Sequence, residues 1–209
     1  MTRPARLVVV TGTGTEVGKT WWTAALAREL RARGVVVAAR KPVQSYSPED
    51  ATTDADVLAA VTGVDALTVC PADGWLPVPM APPIAAAELD VPSFTIADLA
   101  GSVTWPHDCA LGFVEGAGGV RSPLAADGDT ADLVRALAPD VVLVVAHAGL
   151  GVINGVRSAH DALPGAAVVV ALNHYDPEDA VHRTNRDWLV TRDAADVVVD
   201  PGELADRWA

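Results

Sequence analysis

Near-continuous runs of valine and other aliphatic residues recur along the chain at residues 7–11, 35–40, 110–114, 141–146, 167–172 and 196–199. A strand with one wet face alternates apolar and polar positions. These runs do not, so they predict strands buried on both faces, as in a parallel sheet covered by helices. Between them lie Ala/Leu-rich segments with apolar positions three or four apart, which predict helices over 19–33, 54–62, 81–88, 130–138, 154–163 and 180–189. The repeated succession is that of an α/β fold with a predominantly parallel β-sheet flanked by helices. Two segments break the rhythm: residues 44–54 and the proline-rich "PADGWLPVPMAPPIAAAELD". Long loops in such folds gather at the carboxyl end of the sheet, where ligands bind.

Length and charge narrow the choice. The 209 residues suit one domain over 1–209, half of them are apolar, and no repeat or interdomain linker interrupts them. With 27 acidic against 15 basic residues the net charge is −12, which disfavours a nucleic-acid partner and favours a small molecule. Cys70 and Cys109 are too few for a disulfide framework or a four-ligand zinc site, so a reducing cytoplasm is expected. The apolar run after Arg6 stops at Thr11-Gly12, short of a signal-peptide core, and "VVLVVAHAGLGVI" is too short and interrupted to span a membrane.

The chemistry begins at "VVVTGTGTEVGKT", residues 8–20. A buried strand runs into a glycine-bearing loop ending in Gly18-Lys19-Thr20, and a helix follows. Backbone N–H groups leading into a helix N-terminus form a concave array of donors for phosphate, Lys19 adds a cation, and Thr20 can offer its hydroxyl to Mg²⁺. The loop is one residue longer than the common phosphate-loop pattern: Gly12 stands one place early and Thr13 occupies the expected position. A second lysine, Lys41, closes the next strand just before Pro42, at the same end of the sheet. Two cations on one crevice suit a phosphoryl group in transfer. In "LGFVEGAGGVRSPL", Glu115 ends a strand, where a carboxylate needs a cation or donors, and the glycines after it permit close approach of a ligand. Asp54, at the start of a helix, reads equally well as a second metal-side acid or as a helix cap. Trp21 and Trp22, about 100° apart on the first helix, read as packing residues, one of them inward.

The segments "TGTGTEVGKT", "KPVQS", "PMAPPIAA", "VEGAGGVRSPL", "GLGVIN" and "ALN" occur in an order and spacing that resemble the dethiobiotin synthetases, over roughly residues 8–185. The lengthened phosphate loop is that family's own form. The resemblance implies an ATP- and Mg²⁺-dependent ligase that takes 7,8-diaminononanoate and CO₂ through a carbamate and a carbamic–phosphoric anhydride to dethiobiotin, in biotin synthesis. It implies a nucleotide loop of Thr13, Gly14, Thr15, Glu16, Val17, Gly18, Lys19 and Thr20, with Asn173 reading the adenine. Lys19 and Lys41 are its catalytic residues, and Thr20, Asp54 and Glu115 its Mg²⁺ ligands. Thr15, Lys41, Ser45 and Gly118 would hold the substrate, with Gly151, Val152 and Asn154 taking its carboxylate in the other subunit of a homodimer. The sequence departs from the family pattern at Tyr46, where glycine is common, at Gly155, where histidine is common, and at the unusual pair His147-Ala148, His147 reading as a hydrogen-bonded structural residue. The alternatives are a related amide-forming ligase with another substrate, and a regulatory ATPase of the partitioning type. The second would want a further lysine near Thr13 and a basic or amphipathic surface element, neither of which this sequence has.

Overall fold

The computed structural model describes residues 3–209, so the first two residues of the expected 1–209 domain lie outside the described residues. In chain order, β1 (Arg6–Gly12) leads to α1 (Lys19–Ala32), β2 (Val37–Arg40), the two-residue β3 (Gln44–Ser45), α2 (Asp54–Thr62), α3 (Ala66–Val69) and the two-residue β4 (Trp75–Leu76). Then come α4 (Pro82–Glu88), α5 (Ile96–Ser102), β5 (Leu111–Glu115), β6 (Pro123–Ala125), β7 (Gly128–Asp129) and α6 (Thr130–Leu137). The chain continues through β8 (Val141–His147), α7 (Val152–Asp161), β9 (Val168–Asn173), α8 (Ala180–Thr191), β10 (Asp196–Val198) and α9 (Pro201–Trp208).

Six strands form one sheet in the order β10-β9-β8-β1-β5-β2, and every pairing in it is parallel. The valine runs are buried on both sides because successive side chains of β1 point to opposite faces. Val8 and Val10 enter the core beneath α1 and α2, together with Trp22, Leu26 and Leu58. Leu7 and Val9 enter the opposite core, with residues of α4, α5, α6 and α7. A third cluster closes α7 and α8 over β9 and β10. Trp22 is buried and Trp21 exposed, the division expected of adjacent helical positions.

The central strand β1 has β5 on one side and β8 on the other; the chain leaves β1 toward β2 at one edge of the sheet and leaves β8 toward β9 on the other side. A crevice opens at the carboxyl end of such a strand, and the glycine loop after β1 lies there. β3 and β4 pair beside it as a small parallel ribbon, Gln44 with Trp75 and Ser45 with Leu76.

Several expected boundaries move. β2 begins at Val37 rather than at 35, because the Val35 amide donates to the Leu30 carbonyl and closes the end of α1. α7 begins at Val152 after Gly151, two residues before the expected start at Asn154, so Asn154 lies within the first turn instead of opening the helix. The residues after 199, which lie beyond the last valine run and outside the predicted helices, form α9 and pack on α1. Its start carries a sequence signal, since the Asp200 side chain accepts from the Glu203 amide and Pro201 occupies the first helical position. α3 and α5 also went unforeseen, being short and set among turn residues.

Candidate active site

The loop between β1 and α1 is held in a shape that ordinary residues resist. Glu16 and Gly18 both have left-handed backbone, with φ of 59° and 94°. Glycine at 18 is required twice over: besides its φ, a Cβ there would lie 2.1 Å from Asn173 Nδ2. Asn173, at the end of β9, donates from that nitrogen to the Val17 carbonyl at 3.0 Å, which ties the loop to the sheet. The Thr13 amide donates to the Val145 carbonyl and is therefore committed to the sheet. Gly155, on α7, faces Thr13 so closely that a Cβ would meet its side chain at 3.1 Å. The small residue there lets α7 lie against the phosphate loop.

Around α1 the polar side chains converge. Lys19 is buried, and its Nζ donates to the Gly14 carbonyl at 3.2 Å. Lys41, just past β2, is 2 % exposed, and its Nζ lies 2.9 Å from Glu115 Oε1, 2.9 Å from Asp54 Oδ2 and 3.4 Å from the Gly116 carbonyl. Glu115 is wholly buried at the end of β5. Its other oxygen accepts from Thr23 Oγ1 at 2.8 Å. Burial by itself pulls the Lys41 ammonium down, but the facing carboxylates of Glu115 and Asp54 outweigh it and hold Lys41 above the usual lysine range. Lys19 goes the other way: burial, and then repulsion from Lys41, lower it despite Glu115 and Asp54. For Asp54 burial is opposed by the Lys41 charge and by hydrogen bonds from Lys41 and Thr20, which keep the carboxyl below its ordinary range.

Thr20 Oγ1 lies 2.8 Å from Asp54 Oδ1 and 2.7 Å from Glu115 Oε1. A hydroxyl has one proton, so only one of these contacts can be a hydrogen bond at a time, and the other leaves two oxygens facing without a hydrogen between them. A hard divalent cation relieves that arrangement, and the donor set, two carboxylates and a hydroxyl, is all oxygen. Among the described residues no group of three or more acidic, histidine or cysteine side chains could hold a metal alone. The set therefore fits Mg²⁺, which commonly completes its shell with phosphate oxygens and water. Asp54 is free for this because Thr53 caps α2: the Thr53 side chain accepts from the Asp56 amide, and Asp56 returns a bond to the Thr53 amide.

These groups line a cleft of about 700 Å³. Of the residues expected at the site, Thr15, Glu16, Gly18, Lys19, Thr20, Lys41, Ser45, Asp54 and Gly118 line it, and Glu115 backs it through Lys41 and Thr20. Thr13, Gly14, Val17 and Asn173 shape the loop without lining the cleft, while Gly151, Val152 and Asn154 lie apart from it at the start of α7. Leu150, which precedes Gly151, is 91 % exposed. His147 Nδ1 accepts from the Gly149 amide at 3.3 Å, the local structural role expected of it.

Three contributors escaped the sequence reading. Thr23 lies on the face of α1 toward β5, one turn from Lys19, a spacing that in retrospect points at Glu115. The buried Gln44 accepts from the Ala55 amide at 3.0 Å and donates to Thr53 Oγ1 at 3.3 Å, which fixes the start of α2 and so Asp54. Ser122 Oγ accepts from the Gly119 amide and holds the glycine turn after β5. The last two depend on contacts between loops and left no periodic trace in the sequence.

Residues 6–186 match the family described as an AAA domain. The chain is 42 % identical over 170 residues to the ATP-dependent dethiobiotin synthetase BioD of Rhodococcus jostii, covering 79 % of this chain and 71 % of the relative. It is 38 % identical over 193 residues to the enzyme of the same name from Rhodococcus erythropolis, covering 88 % and 83 %. The fold is shared with cobyrinic acid a,c-diamide synthase from Mycobacterium smegmatis, solved with a bound ATP analog and magnesium, at a TM-score of 0.53 and 16 % identity over 97 % of this chain and 91 % of that one. A phosphate loop after the central strand of a parallel sheet, a second buried lysine beside it and extended sequence identity lead to one conclusion: this chain belongs to the ATP-dependent dethiobiotin synthetase family.

Proposed function

We propose that this protein converts 7,8-diaminononanoate, CO₂ and ATP to dethiobiotin, ADP and phosphate, in biotin biosynthesis. The observation that carries the reading is Lys41: a buried ammonium outside the nucleotide loop yet in the same cleft as Lys19. Lys19 belongs to the phosphate loop itself, the place of a cation for the γ-phosphate. A second, opposite the loop, suits an anionic acceptor such as a carbamate.

One amine nitrogen of the substrate bonds to the carbon of CO₂ and loses a proton, giving the carbamate. A carbamate oxygen attacks the γ-phosphorus as the bond to the ADP oxygen breaks. The second amine nitrogen then attacks the carbamate carbon, phosphate leaves, and the proton lost from nitrogen closes the balance. The protein's part is positioning and neutralisation of charge. Lys19 faces the γ-phosphoryl oxygens and Lys41 the carbamate, exchanging one of its three protein acceptors for it. Thr15, Ser45 and the backbone at Gly118 orient the acceptor. Mg²⁺, held by Thr20, Asp54 and Glu115, would supply charge neutralisation at the phosphate oxygens. Asn173 reads the adenine with the amide oxygen left free by its bond to Val17.

Gly151, Val152 and Asn154 take the substrate carboxylate at the start of α7, from the neighbouring subunit of a homodimer. Their separation from the chain's own cleft and the exposed Leu150 beside them support that assignment. The substrates are small molecules, and with a charge of −12 no nucleic-acid partner is expected. Among the described residues no helix is long and apolar enough to cross a membrane. Cys70 and Cys109 are both free thiols, and burial pushes Cys70 up to about 12. Reduced thiols fit our assignment to the cytoplasm, and the 1–209 chain acts as a single domain.

Phosphate release with ATP and Mg²⁺, measured with and without diamine and bicarbonate, tests the reading. Release should require the diamine, because the carbamate is the acceptor. Equal release without it would point to a regulatory ATPase instead.

A further inference from the structure

Tyr46 follows β3 and lines the same cleft as Thr15, Ser45 and Lys41. Its amide donates to the Leu76 carbonyl at 3.1 Å, which carries the β3–β4 pairing one residue further. Its ring meets Trp75 edge-on, with centroids 5.9 Å apart and planes at 86°. Trp75 is itself fixed, since Nε1 donates to the Cys70 carbonyl at 2.8 Å and the ring packs against the core under α1 and α2. A ring held by a paired backbone and by an anchored aromatic partner is a wall of the cleft rather than a flap. Pro79, Met80 and Pro82, from the segment that follows β4, add further apolar lining.

On the function proposed above, the carboxylate arm of the diamine leaves the cleft toward the partner subunit. The part enclosed by this chain is then the pair of amine-bearing carbons and the short methyl terminus. Polar groups account for the amines and the carbamate, and what remains for an apolar wall is the methyl end. We propose that Tyr46 is a specificity-determining residue: its ring limits, by exclusion of volume, the bulk that the substrate carries at its methyl terminus. The inference rests on the dethiobiotin synthetase reading.

The test compares 7,8-diaminononanoate with the homologue bearing ethyl in place of the terminal methyl, as a ratio of kcat/KM values. In Tyr46→Gly the ratio should move toward the homologue by about tenfold or more, the scale on which an apolar pocket resolves one methylene. Tyr46→Phe, which keeps the ring, should retain the wild-type ratio, and Tyr46→Leu, which keeps an apolar side chain on the ribbon, should move it the same way by less. The KM for ATP should stay constant across the series, which separates a change of shape from damage to the nucleotide loop. If Tyr46→Gly does not fold, Tyr46→Leu decides. An unmoved ratio in an active variant, or an equal shift in Tyr46→Phe, overturns the proposal while leaving the function intact. Failure of the wild type to convert 7,8-diaminononanoate overturns the functional reading and this inference with it.

Discussion

Replacing Lys41 by methionine removes a buried charge while nearly conserving volume, so its cost reports on electrostatics rather than on a cavity. Glu115 would be left wholly buried beside the missing ammonium. Breaking a buried pair from one side costs about 3–5 kcal/mol. Two features pull the figure to the lower end. Glu115 keeps the hydroxyls of Thr20 at 2.7 Å and Thr23 at 2.8 Å, and the half-exposed Asp54 recovers water. We therefore expect a loss of about 3 kcal/mol at pH 7. Adding Glu115→Gln removes the stranded charge, and the double variant should recover about 2 kcal/mol relative to the sum of the single effects. Urea unfolding of the four proteins, followed by tryptophan fluorescence, supplies the cycle. A Lys41→Met cost below about 1 kcal/mol, with effects additive to about 0.5 kcal/mol, would refute the view that the ion pair holds Glu115 in place. In the same variant kcat should fall far more than ATP affinity if the lysine faces the acceptor as proposed; the opposite pattern would remove it from that role.

Gly18→Ala should cost about 2–3 kcal/mol in an unfolding titration, combining a left-handed alanine with displacement of the Asn173 amide from Val17, and a loss under about 1 kcal/mol would mean that the loop yields easily. Asp54 lies below its ordinary value of 3.8, so its stabilising contribution is complete above that pH and is lost as the pH falls through the depressed folded value. Wild-type stability should thus fall more steeply below about pH 4 than that of Asp54→Asn, and parallel acid profiles would count against the pairing. On the proposed site shared between two subunits, Lys19→Ala and Asn154→Asp should each be nearly inactive, the second by setting a carboxylate against the substrate's own. Refolded together they should regain roughly a quarter of wild-type activity, since about half the dimers are mixed and each mixed dimer has one intact site. No recovery from confirmed mixed dimers would assign Asn154 to its own subunit.

The sequence by itself determined the layers and the chemistry. Unbroken valine runs demand a sheet covered on both faces, and Gly18-Lys19-Thr20 after the first of them marks the phosphate loop, because both signals lie within a few residues of chain. Tertiary structure decided what depends on groups far apart in sequence. Asp54 reads equally as cap or ligand until Thr53 is seen to cap the helix and Lys41 and Thr20 to face the carboxylate. Asp200 and Pro201 mark where α9 can start, but its eight residues become a helix worth forming only where α1 offers them an apolar face. Thr23, Gln44 and the Tyr46–Trp75 wall belong to the site only because β3, β4, β5 and the first two helices meet at one end of the sheet. Periodicity encodes which face of an element is buried, whereas the partners it finds there are set by packing between distant segments.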